Sequence, residues 1–129
     1  MKPGQASQDR ETWKHRARWL KAMAHPERLR ILDALRRGES CVCHLETLLN
    51  RPQPYVSQQL RVLRETGIVR SHRVGTHVFY FLADPKAFDV LKATLGPIRE
   101  NEVVFRFPGC RCPKCQEETG ALEEFRLRP

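Results

Sequence analysis

Five of the 129 residues are cysteines, and they fall in two tight groups: Cys41 with Cys43, and Cys110 with Cys112 and Cys115. An odd number packed this closely suits metal binding or redox chemistry in a reducing compartment better than a disulfide framework. Thiolates are ligands for soft and borderline ions. Two sulfurs complete neither a trigonal As(III) site nor a tetrahedral Cd(II) or Zn(II) site. The CRCPKC stretch can supply the remainder, from the same subunit or from a second one. The same trio also suits a structural zinc knuckle completed by a histidine or an intersubunit thiol, or a thiol switch.

A second chemistry sits just downstream. PYVSQQLRVLRE carries Val56, Leu60 and Leu63 at helical spacing, opposite a polar Ser-Gln-Gln face. A helix that enters the major groove needs short polar side chains that reach base edges, and Gln53, Tyr55, Ser57, Gln58 and Gln59 meet that need. Arg61 and Arg64 lie further along and suit phosphates. An ordinary solvated face would carry Glu and Lys, and the first two turns carry neither.

Several elements must position these groups. Residues 1–9 are polar and expected to be disordered. A helical pattern from Arg10 to Ala24 repeats Trp13, Ala17, Leu20 and Ala24. His25-Pro26 breaks it, and Pro26 suits the first position of a second helix, to Arg37, that buries Leu29, Ile31, Leu32 and Leu35. Gly38 is a natural stop. Ser40 is the expected N-cap of a short third helix reaching Leu49. That cap puts Cys41 and Cys43 at about N1 and N3, where unpaired N–H groups and the helix dipole should favour thiolate. Residues two apart on a helix are rotated by about 200°. Chelation by both would therefore distort the first turn and, through it, the fourth helix.

The turn Asn50–Pro54 leads into that fourth helix, which starts at Pro54 or Tyr55 and ends at Gly67. Ile68–Arg73 and His77–Leu82 then flank Val74-Gly75-Thr76 as a β-hairpin, with Gly75 supplying the positive φ. Arg70, His72, Arg73 and His77 flank its tip, within reach of a phosphate or the minor groove. Asp84-Pro85 opens a fifth helix carrying Phe88, Val90, Leu91 and Leu95. The order predicts a mainly α (α+β) winged helix-turn-helix, with five helices and a two-stranded wing, over residues 10–100. Residues 101–129 form a cysteine-containing extension. His15, His25 and His44 read as capping or surface residues rather than ligands.

Composition agrees. The formal charge of +8 favours a polyanionic partner, nucleic acid first among them. No apolar run approaches the roughly 18 residues a membrane span needs. MKPGQASQDRETWKH lacks the apolar region of a secretory signal, so a cytoplasmic location is expected. There is no Gly-rich phosphate loop and no nucleophile set in a βα turn, which points away from an enzyme.

Over roughly residues 15 to 95 the chain resembles the ArsR/SmtB family of metal- and metalloid-responsive repressors. The resemblance is carried, in order, by HPERLRIL, the Cys-Val-Cys, VSQQLRVLRETGIV and a wing ending in FYFL. It implies a homodimer joined by the first and last helices, bound to an imperfect inverted repeat of operator DNA and released by an inducer. ESCVCHL is similar to the ELCVCDL box of the arsenic-sensing branch, where two cysteines helped by a third bind As(III) or Sb(III). Ser40 and His44 depart from that box. The zinc-sensing branch carries Asp/His pairs on its fifth helix, and DPKAFDVLKATLGPIRENE has no histidine. The expected function is a repressor released by As(III)/Sb(III) at Cys41, Cys43 and a thiol from Cys110, Cys112 or Cys115. Release by Cd(II), Pb(II) or Zn(II) at the same thiols, or by thiol oxidation, stands as the alternative.

Overall fold

A computed structural model describes residues 3–99. Helix α1 (Pro3–Met23) starts seven residues before the Arg10 that apolar spacing suggests. Proline is tolerated in a first helical turn, where its missing N–H costs no bond, so the helix can extend back through a polar lead-in. The stripe expected to face the core does not. Trp13 and Leu20 are 65% and 52% exposed, while Ala22 and Met23 are buried.

His25 caps α2 (Pro26–Arg37), its Nδ1 accepting from the N–H groups of Glu27 (3.2 Å) and Arg28 (3.4 Å). Accepting at Nδ1 leaves the ring proton on Nε2. Ile31, Leu32 and Leu35 are buried as the spacing predicts, and Leu29 is half-buried.

The chain then departs from expectation. Ser40–Cys41 is not the start of a helix but a short strand, β1, and Cys41 is the N-cap of α3 (Val42–Leu49). The sequence rule selects Ser40 because its hydroxyl suits a cap. Pairing with a strand from the far end of the domain instead holds the backbone extended through Cys41 (φ −84°, ψ 167°). Asn50 closes α3 in the left-handed region (φ 52°, ψ 48°), a conformation Asn tolerates better than most side chains. Helix α4 (Gln53–Glu65) begins just before Pro54.

Strands β2 (Val69–Val74) and β3 (His77–Leu82) form the wing, with Val74 opposite His77 and Gly75 at φ 62° in the turn between them. The sheet therefore has three strands, not two, in the antiparallel order β1-β3-β2. Helix α5 (Pro85–Leu95) is capped by Asp84, whose Oδ1 accepts from the Lys86 N–H at 2.9 Å. The other oxygen of Asp84 accepts from Trp19 Nε1 at 2.9 Å, tying α5 to α1. Arg36 of α2, itself buried, donates to the Gly96 carbonyl at the end of α5 (2.7 Å) and pairs with Asp33.

Leu45 and Leu49 of α3, Val56, Leu60 and Leu63 of α4, and Ile68, Val69 and Leu82 meet α2 in one core, joined by Ala87 and Leu91 of α5. Phe88 and Leu95 are 40% and 44% exposed instead. The arrangement is a winged helix-turn-helix: α3 and α4 with the tight Asn50 turn, and the wing directly after. Among the described residues no helix is long and apolar enough to cross a membrane.

Candidate nucleic-acid interface and thiol site

Helix α4 buries Val56, Leu60 and Leu63, which fixes what its other side presents. Gln53, Gln58, Arg61 and Arg64 are exposed, and Ser57 is half-buried beside them. Tyr55 is half-buried to one side, with the Arg51 guanidinium 5.2 Å from its ring centroid. Arg61 faces Glu65 at 3.4 Å, an exposed i,i+4 pair that solvent largely screens.

Gln59 is the correction. Expected on the outward face, it is 7% exposed, and its Oε1 accepts from Arg28 Nη1 at 2.9 Å. Arg28 also donates from Nε to the Ala22 carbonyl (2.6 Å) and from Nη2 to that of Lys21 (3.4 Å). One guanidinium thus joins the end of α1, the start of α2 and the middle of α4. Sequence reasoning missed Arg28, because its partner lies 31 residues away and nothing local marks the pair.

On the wing, Arg70, His72 and Arg73 are exposed and His77 is half-buried. Strand alternation puts Arg70 and His72 on one face and Arg73 on the other. His72 is held rather than loose. Its Nε2 lies 2.5 Å from Glu39 Oε2, and its ring stacks on that of Phe79 with centroids 5.9 Å apart. Glu39 precedes β1, so this contact reaches from the wing to the cysteine box.

The two cysteines differ sharply. Cys41 is 3% exposed, at the end of β1, whereas Cys43 is exposed at the second position of α3. They stand at the N-cap and N2, not at N1 and N3. His44 is buried at 5% exposure rather than on the surface. Among the described residues no three His, Cys, Asp or Glu side chains converge as a metal site. Cys110, Cys112 and Cys115 lie outside the described residues.

Residues 25–71, from the α2 cap into the wing, match the model of the bacterial regulatory protein, arsR family. A helix-turn-helix transcriptional regulator of Methanocaldococcus jannaschii is 36% identical over 83 residues, covering 64% of this chain and 93% of that protein. The chain belongs to the ArsR family. A second member, the transcriptional repressor SmtB homolog of Synechocystis, is 37% identical over 86 residues, 67% of this chain. The match spans 65% of that relative's own length. Among solved structures of the family's fold is the homodimeric winged helix-turn-helix DNA-binding domain of a possible ArsR-family regulator from Mycobacterium bovis. It superposes with a TM-score of 0.66 at 29% identity, covering 73% of this chain and 87% of that one. The family match thus covers the helix-turn-helix and the first residues of the wing.

Proposed function

We propose that this ArsR-family protein is a homodimeric transcriptional repressor. It binds an imperfect inverted repeat of operator DNA through α4 and the wing, and lets go when As(III) or Sb(III) is captured by Cys41 and Cys43. The observation that carries the reading is adjacency. A polar, acid-poor face on α4 (Gln53, Ser57, Gln58, Arg64) is supported by a helix, α3, that carries one thiol at its N-cap and one at its second position.

Gln53, Ser57 and Gln58 are the base-reading candidates, and Gln58 can bond adenine in bidentate fashion. Arg61, Arg64, Arg70, Arg73 and His77 take phosphates, which adds affinity without sequence preference. Tyr55 lines the edge of the face. The homodimer rests on the apolar stripe of α1 and the exposed Phe88 and Leu95 of α5, side chains that need cover, and on the homodimeric relative from Mycobacterium bovis.

The donor set fits a soft effector: two sulfurs within three residues, one of them open to solvent at a helix N-terminus. On arsenite, each cysteine sulfur that binds displaces one hydroxyl, which leaves as water with the thiol proton. A third thiol, from Cys110, Cys112 or Cys115, would complete a trigonal site.

The test is fluorescence anisotropy of the reduced, metal-free protein on its upstream DNA, titrated in parallel with arsenite, Cd(II), Zn(II) and a mild oxidant. Stoichiometric release by arsenite, lost in Cys41→Ser and Cys43→Ser, is the expected result. Release by Cd(II) or Zn(II) alone would replace the effector, and release only on oxidation would replace the ion by a thiol switch.

A further inference from the structure

Cys41, Phe79 and His72 form one row across the wing sheet. Cys41 of β1 is the register partner of Phe79 on β3, and Phe79 is in turn the partner of His72 on β2. Register partners point to the same face of a sheet, and the His72 ring stacks on Phe79 with planes 25° apart. His72 also lies 5.8 Å from the Phe81 ring. Glu39 closes the row from the other end through its contact with His72 Nε2. On β2, His72 is flanked by the two exposed arginines of the wing, Arg70 and Arg73.

The two thiols start from different environments. Cys41 is buried in the row, and Cys43 faces solvent from α3. Capture of one ion by both would draw the buried thiol and the exposed one together. Helix α3 is anchored by Leu45 and Leu49, which are 0% and 4% exposed in the main core. Strand β1 is two residues long and held by two register pairs. The strand is therefore the part that yields.

We propose that the wing is a direct output of the thiol site. Drawing Cys41 toward Cys43 peels β1 from β3, breaks the Glu39–His72 contact, and releases the strand that sets Arg70 and Arg73. This rests on the sensor reading above, and it adds a route to DNA that does not pass through α4. A closed row holds the wing arginines in place for phosphates, and an opened row lets them scatter.

The experiment uses the full reduced protein with arsenite as the probe, in wild type and Glu39→Ala. Hydrogen exchange is followed at β3 and β2, and DNA affinity is measured with and without arsenite. In wild type, arsenite should raise exchange at residues 78–81 and 70–73 at least as much as in α4. Glu39→Ala should still bind arsenite with the same thiol-to-arsenic absorbance. Its ratio of DNA affinities without and with arsenite should fall at least fivefold below that of wild type. Exchange changes confined to α3 and α4, or an affinity ratio equal to that of wild type, would overturn the wing route and leave the sensor intact. A wild-type protein that binds DNA but ignores arsenite would instead overturn the sensor reading, and the wing route with it.

Discussion

Gln58 and Gln59 are neighbours of the same type, and the fold sends them to opposite duties. Gln58 is exposed on α4, while Gln59 is buried against the Arg28 guanidinium. Gln58→Ala should weaken operator binding by about 1–3 kcal/mol, the range of one good bidentate base contact, with an unchanged unfolding midpoint. Gln59→Ala should do the reverse at first order. It removes a hydrogen bond to a charged group, worth about 1.5–3 kcal/mol, and shifts the urea midpoint. A double-mutant cycle with Arg28→Ala isolates the pair, and a coupling near zero would show that Gln59 is held by packing alone. Helical periodicity cannot separate the two residues beforehand, because a polar residue at the edge of an apolar stripe turns inward only if a distant partner meets it.

At the scale of elements, the helix-turn-helix depends on the left-handed turn at Asn50. Asn50→Gly should leave stability within a few tenths of a kcal/mol, whereas Asn50→Ala should cost about 1 kcal/mol, since a Cβ without a local hydrogen bond is strained there. Thermal unfolding of the two variants decides it, and equal midpoints would mean that the turn relaxes. Most element types were legible from residue spacing, caps and breakers: His25-Pro26, Gly75 and Asp84-Pro85 all mark boundaries that the structure keeps. Strand β1 was not legible. Two residues have no periodicity, and what makes Ser40 and Cys41 a strand is β3, some forty residues on.

The whole molecule leaves Trp13 and Leu20 on α1, and Phe88 and Leu95 on α5, open to solvent at seven-residue spacing. The Trp19–Asp84 contact brings the two helices together. Leu20→Lys with Phe88→Glu should give a monomer by analytical ultracentrifugation and lower affinity for a two-half-site operator by more than tenfold, while a single half-site is bound as before. The basic surface, with a formal charge of +8 overall, makes affinity salt-dependent. Arg73→Ala should reduce the slope of log affinity against log salt by about 2 in a dimer, near 0.9 for each lost phosphate contact. An unchanged slope would place Arg73 off the DNA.

Local chemistry along the chain was enough to determine the helices, the hairpin, the basic balance and the pair of thiols at Cys41 and Cys43, because caps, turn residues and apolar spacing act over a few residues. Tertiary structure alone decided which of those thiols is buried, that Gln59 faces Arg28, that His72 meets Glu39, and that the apolar stripe of α1 turns away from its own core. Each of these depends on a partner more than thirty residues away or on surface left over after the core closed. A contact over that distance is set by how the elements pack, and no local pattern encodes it.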